Sequence, residues 1–319
     1  MHSLSRYRAA LTLLAIVALS SGCSIDRLAV NKVADTLAAA GTTYSADDDP
    51  ELVGAALPFS LKSMESILAS TPEHRGLLAA TAAGFTQYSY AFVQQEADAI
   101  SLEDTERAWV AWNRARRLYL RARDYGLRGL DVAVPGFSTR LHAAPGEALA
   151  QAGRAEVDLL YWTAVSWAAA ISLGKDDPSL VAELPLVSAL IDRALDVDEA
   201  WDRGAIHSFL IGYEMARPAA IGDRVASARA HFDRAIALSQ GKAAGPYVSW
   251  AESVCIPRED RACFEEALRA ALKIDPDDHP PMRVANIIFQ RRAAWLLANT
   301  DRWILPPLDE TDESEKESR

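Results

Sequence analysis

The sequence predicts an all-α protein built of stacked antiparallel helical hairpins, and three observations carry that prediction. Sustained alternation of Val, Ile and Thr, the mark of strands, is nearly absent. Ala, Leu, Arg and Glu dominate segments of helical apolar period, and Pro, Gly and Asp break those segments. The connections between segments are short, so sequential helices are expected to pack as antiparallel neighbours.

The first element is not part of the fold. In "MHSLSRYRAALTLLAIVALSSGCS", Arg6 and Arg8 precede an apolar run from Ala9 to Leu19, and small residues then lead to Cys23. This is the layout of a bacterial secretion signal over residues 1–22, and its apolar run falls well short of the roughly 20 residues a membrane-spanning helix needs. "LSSGC" has the form of a lipobox, with Ser20 standing where Leu is usual, so Cys23 is expected to carry a diacylglycerol and to begin the mature chain. Two or three acyl chains, at about 0.8 kcal/mol per buried CH₂, anchor a protein firmly. Ser24 after the cysteine, in place of Asp, points to the periplasmic face of the outer membrane.

Residues 23–305 read as one helical domain. Its candidate helices are, in order, "RLAVNKVADTLAAAG", "ELVGAALPFSLKSMESILAS", "EHRGLLAATAAGFTQYSYAFVQQEADAI", "LEDTERAWVAWNRARRLYLRARDYGL", "EVDLLYWTAVSWAAAISLG" and "ELPLVSALIDRALDVD". Then follow "AIHSFLIGYEMAR", "VASARAHFDRAIALSQ", "PYVSWAESVC", "RACFEEALRAALKID" and "PMRVANIIFQRRAAWLLAN". Several second helices share a tetratricopeptide-type ending: "MESILASTP", "IDRALDVDE", "FDRAIALSQ" and "FEEALRAALKIDP". Aligning them on Ile67, Ala194, Ala235 and Ala271 gives intervals of 41 and 36 for the last two steps, looser than a repeat of about 34 residues. Such hairpins cannot bury their apolar faces alone and stack to share a core, so the expectation is a degenerate tetratricopeptide-like array. Residues 306–319 form an acidic tail, "LDETDESEKESR" at its end, too polar to fold.

Charge and motif content narrow the chemistry. A net charge of -11 argues against nucleic acid as a partner. The basic run "RARRLYLRAR", Arg114 to Arg123, reads as a solvated or ion-paired helix face. No HExxH, CxxC, Gly-rich phosphate loop or GxSxG elbow occurs in the mature chain, and no His pair has the spacing of metal ligands along a helix. No cofactor, metal or catalytic residue is therefore expected, and His207, bracketed by apolar residues in "GAIHSFLIGYE", reads as a packing residue. Cys255 and Cys263 flank "IPREDRA"; they suit either a disulfide across a tight helix connection or two buried thiols.

Aromatic and amide side chains on the helices carry the remaining signal. In "FTQYSYAFVQQEAD", at about 100° per residue, Phe85, Tyr88 and Phe92 share one side while Gln87, Tyr90, Gln94 and Asp98 share another. Trp162 and Trp167 in "LLYWTAVSWAAAI", and Gln290 in "FQRRAAWLL", add rings and an amide. Two readings stand: a core built partly of aromatics, or a cavity of apolar rings and a few polar tips, the composition of a small-molecule site.

The blocks "ALPFSLKSMESILASTPEHRGLLAATAAGFTQYSYAFVQQEAD", "RARRLYLRARDYGLRGL", "LYWTAVSWAAAISL", "GAIHSFLIGYEMAR", "ARAHFDRAIALSQGKAAGPYVSWAE" and "NIIFQRRAAWLL" resemble the T component (TatT) of TRAP transporter systems. The resemblance covers nearly all of the mature chain. It implies an outer-envelope lipoprotein of cryptic tetratricopeptide-like helices, assembling as a homotrimer with a channel through each protomer. It also implies a partner, the periplasmic solute-binding P component, and a small hydrophobic or amphipathic organic acid as cargo. On that basis Gln87, Tyr88, Tyr90, Gln94, Asp98, Trp162, Trp167 and Gln290 are candidates to line the passage. The membrane would be met through the lipid anchor alone. An envelope-assembly scaffold that binds peptides or proteins in an open groove is the alternative reading.

Overall fold

The structure is a computed structural model and describes residues 30–39, 41–217 and 222–306. The expected leader, Cys23 and the tail from residue 307 lie outside the described residues. All regular structure among the described residues is helical, in agreement with the all-α prediction. They divide into two compact units: the described residues up to Tyr44 with Glu51–Val197, and Ser45–Pro50 with the described residues from Asp198 onward.

The first unit contains α1 (residues 30–39), α2 (Gly41–Ser45) up to Tyr44, α3 (Pro50–Ser70) from Glu51, α4 (Arg75–Tyr88), α5 (Gln95–Ile100) and α6 (Thr105–Ala133). It continues through α7 (Phe137–Ala143), α8 (Pro145–Leu149), α9 (Val157–Ser172), α10 (Pro178–Val181) and α11 (Leu184–Val197). Its long helix, α6, starts where Asp104 accepts the Arg107 N–H at 3.0 Å, an N-cap worth about 1 kcal/mol. It ends at Val134, where Pro135 denies the helix another N–H. α6 is the hub of the unit, packing on α4 along one side and α9 along another, while α9 packs on α11. Gly126 and Gly129 make the second contact close: a Cβ on the one would overlap the Thr163 hydroxyl, and on the other the Leu159 side chain. Leu61, Met64 and Leu68 of α3 bury themselves against Leu77, Leu78 and Phe85 of α4 and Ala122 of α6. Such side chains contribute roughly 1.5–3 kcal/mol each when removed from water.

The second unit contains α12 (Ala205–Ala216), α13 (Arg224–Leu238), α14 (Gly245–Trp250), α15 (Arg261–Leu272), α16 (Arg283–Ala298) and α17 (Thr300–Trp303). α12 pairs with α13 and meets α14; α14, α15 and α16 pack on one another. Val248, Cys255, Phe264, Leu268 and Leu296 form the centre of that packing. Aspartate caps recur here, Asp223 opening α13 and Asp260 opening α15. Cys255 and Cys263 are joined as a disulfide, with Cα atoms 5.7 Å apart, and it ties the end of the α14 segment to the first turn of α15.

Two of the expected helices depart from a uniform α period. The segment expected to be one helix through "FTQYSYAFVQQEADAI" passes from α4 through a π-helical turn, Ser89–Gln94, into α5. "PYVSWAESVC" likewise runs from α14 into a π-helical turn, Ala251–Cys255. A π turn admits one residue more than an α turn, so the helix continues while its faces shift in phase.

Candidate functional site

The π turn of the first unit governs where the candidate side chains go. Gln95 N–H donates to Tyr90 carbonyl, five residues back, in place of the α partner. A fixed step per residue therefore fails across this turn, and α5 is rotated relative to α4. Upstream, Phe85 is buried and stacks on Tyr125, their ring centroids 6.1 Å apart. Phe92 is half-buried against Gly54, where the ring occupies the space of a Cβ. Tyr88 is half-buried beside Phe92 and receives a hydrogen bond from Arg114 at 3.1 Å. Gln87 is exposed on the surface of α4.

Downstream, the polar residues bond to α6. Gln94 Oε1 accepts the Tyr119 hydroxyl at 2.7 Å, and Asp98 Oδ1 accepts the Trp112 indole N–H at 2.8 Å. Tyr90 packs with Val93 on the cluster formed by Ala115, Tyr119 and Ala170. Tyr119 is almost wholly buried. Burial first, then the charges of Tyr90 and Asp98, push its phenol well above the ordinary tyrosine value. It stays neutral and acts as a donor to Gln94. The structure thus brings Tyr88, Tyr90, Gln94 and Asp98 along one length of α6.

The tryptophans of α9 belong to other surroundings. Trp167 is buried; its indole N–H donates to Glu183 Oε2 at 2.8 Å, and the Arg123 guanidinium lies 5.1 Å from its ring centre. Arg123 and Glu183 are themselves 3.5 Å apart, so ring, cation and carboxylate meet, while Arg123 also donates to Asp124 at 2.8 and 2.9 Å. Trp162 is half-buried and meets Tyr161 edge-on at 4.9 Å. Gln290 lies in the second unit, where its amide donates to the Ala271 and Ile274 carbonyls at 3.0 and 2.6 Å and closes the C-terminal end of α15.

The arginines of α6 are largely engaged. Arg116 pairs with Asp176 at 3.6 Å, and Arg121 with Glu65 at 3.6 Å while lying over Phe85. Glu65 also accepts the Tyr125 hydroxyl at 3.0 Å, and burial together with that bond pushes the phenol up to about 12. In the second unit, His207 is buried with its Nδ1 2.8 Å from Nδ1 of His231 and its Nε2 3.4 Å from Glu199. Tyr119, Trp112 and the His207–His231 pair were not singled out by their residue patterns. Their partners lie 25, 14 and 24 positions away, beyond the reach of a single helix's periodicity.

With the helices and this geometry in place, comparison defines the class. The family described as TRAP transporter T-component matches residues 46–303. A protein of Treponema pallidum (strain Nichols), itself described as uncharacterized, is 31% identical over 305 residues, covering 90% of this chain and 94% of that one. The chain therefore belongs to the TRAP transporter T-component family, a family of transport components.

Proposed function

We propose that the chain is a lipid-anchored, periplasm-facing component of a TRAP transporter that docks the periplasmic solute-binding protein and holds or conducts its small organic-acid ligand. The observation that carries this reading is the family match across residues 46–303. In the proposal, Tyr88, Tyr90, Gln94 and Asp98 contribute to a passage wall within the first unit, with Gln87 and Trp162 as further members of the lining, whereas buried Trp167 and the Gln290 amide of the second unit serve packing and the end of α15. The apolar rings would contact the ligand's carbon skeleton, while Gln94 and Asp98, bonded to Tyr119 and Trp112 of α6, would fix the wall from behind. The hairpins would stack as degenerate tetratricopeptide-like repeats, three copies would assemble into a homotrimer, and Cys23 would hold the assembly at the outer membrane.

Exposed apolar side chains on two helices of the first unit support a protein partner. Leu52 and Phe59, two turns apart on α3, are 59% and 79% exposed, and Trp109 and Val110 of α6 are 49% and 69% exposed. Native mass spectrometry of the mature protein mixed with the TRAP solute-binding protein from the same cell tests the proposal. The expected result is a defined complex that retains a small molecule. Two separate species under all conditions would remove the centre of the reading. Cys23→Ala is expected to move the protein from the membrane fraction to the soluble periplasm.

A further inference from the structure

Two cavities in the second unit differ in their electrostatic character. One, of about 340 Å³, is lined by Arg261 and Arg302 but also by Glu265 and Asp301. Arg261 already bonds to Asp301 and lies 3.6 Å from Glu265, so that cavity is neutralised from within. The other, of about 240 Å³, is lined by Arg203, Leu238, Ser239, Gln240, Lys242 and His279. No carboxylate lines it, in a chain where 44 acidic residues outnumber 33 basic ones.

We propose that this second cavity is a binding site for a small oxyanion, a carboxylate or phosphate held between Arg203, Lys242 and His279. None of these three side chains has a hydrogen-bond or ion-pair partner among the described residues. His279 Nε2 is shielded from solvent and unpartnered, which costs free energy unless something completes it. Arg203 offers a planar fork of donors and Lys242 a mobile ammonium, the two kinds of group that hold carboxylate and phosphate. The Ser239 hydroxyl is spent on the Ala235 carbonyl at 2.8 Å, so the cavity's remaining side-chain donors are the three basic groups and the Gln240 amide.

The backbone fixes this convergence. Asp202, Arg203 and Gly204 are consecutive left-handed residues, with φ of 42°, 54° and 90°. Held there, the two non-glycine residues are strained, and only the surrounding packing keeps them so. Gly204 lies against Leu238, where a Cβ would come within 3.0 Å of the Leu238 Cβ. A second left-handed pair, Gln240 and Gly241, ends α13 and turns the chain toward Lys242. Asn286 then anchors that turn, accepting from Ala244 N–H at 2.9 Å and donating to the Lys242 carbonyl at 2.8 Å. Asp202 and Asp278, which flank Arg203 and His279 in sequence, do not line the cavity, although the Arg203 charge also acts on the Asp202 carboxyl, whose pKa burial raises. Burial first, then the charges of Arg203 and Lys242, hold the His279 pKa below the ordinary imidazole value. An anion between the three groups would reverse that charge effect.

The competing explanation is local: cations near the C-terminal end of α13 complement its dipole and need no ligand. The two separate in solution. His279 is followed by NMR while inorganic phosphate, and in a second series succinate, is added to the folded protein at constant ionic strength. The expected result is a saturable shift of the imidazole signals and a rise in the His279 pKa. Arg203→Gln and Lys242→Gln should each weaken binding roughly tenfold, the loss of one charge-assisted hydrogen bond, and Lys242→Arg should restore it. Circular dichroism checks that each variant remains folded. A response that sodium chloride reproduces, or one that survives the Arg203→Gln, Lys242→Gln double substitution, overturns the site. So does a response only to vesicles of phosphatidylglycerol. The measurement uses no transporter partner, so its outcome is separate from that of the docking experiment above.

Discussion

Gln94 shows how one hydrogen bond changes the meaning of a residue. On helical phase alone it belongs with Gln87 on a wet face, yet it accepts the hydroxyl of buried Tyr119. Gln94→Leu is therefore expected to lower stability by about 1–2 kcal/mol, because Tyr119 keeps a buried donor with no acceptor. Tyr119→Phe removes the donor and should cost less when combined with Gln94→Leu than the two separate losses predict; urea denaturation of the four proteins measures the coupling. Full additivity would place Gln94 in water. Trp112 and Asp98 repeat the pattern one turn along, and neither partnership was legible, since choice of partner is decided by how α5 and α6 meet. His207 was legible as a packing residue, while its pairing with His231 was not. Burial holds the His207 pKa below the ordinary imidazole value, against the opposing influence of Glu199 and alongside that of Arg234. The unfolded chain thus takes up protons, near its pKa of about 6.5, that the folded one refuses. This contribution is full above that pH and is lost as pH falls through it toward the lower folded value. Denaturation midpoints between pH 8 and 5 should decline, and His207→Gln should start lower at pH 8 but show a shallower slope.

Among the elements, helix identity was readable and helix phase was not. Each long apolar-periodic segment became a helix because its period of about 3.6 leaves one stripe to bury. Of the four aligned positions, Ala194, Ala235 and Ala271 are buried, where only a small residue fits, and Ile67 is partly buried. A π turn inserts one residue without disturbing composition, so Ser89–Gln94 and Ala251–Cys255 leave no trace in a pattern of apolar and polar letters. The close approach of α6 to α9 was equally hidden, because Gly126 and Gly129 within a helix look like weak helix formers. The contact with Thr163 and Leu159 reverses that judgement. Gly126→Ala should gain up to about 1 kcal/mol of helix propensity yet lose about 1–3 kcal/mol to overpacking, a net destabilisation visible as a lower midpoint in urea. The same substitution at Gly146, where a Cβ meets nothing within 4 Å, is the control and should not show that loss. If Gly126→Ala proved stabilising, the α6–α9 contact would be looser than the structure has it.

At the scale of the whole molecule, the division into two compact units falls between Val197 and Asp198, inside "DVDEAWDRG", a polar stretch that reads like any other hairpin connection. Neither a composition shift nor a Pro- or Gly-rich linker marks it, so contact topology, which no local pattern encodes, is what separates the units. The disulfide makes the division measurable, because Cys255 and Cys263 both lie in the second unit and none of the described residues of the first unit is a cysteine. Closing a chain segment with a sequence separation of 8 restricts the unfolded state by roughly 2.5 kcal/mol on the chain-entropy account. Reduction should therefore weaken the second unit by about that amount, and Cys263→Ser should do the same without reductant. Amide hydrogen exchange resolves where the loss falls. Protection is expected to drop across α14, α15 and α16, which share the core around Cys255, while α4, α6 and α9 keep theirs. An equal loss in both units would mean that they unfold as one cooperative body, and that the boundary is a feature of packing without being one of stability.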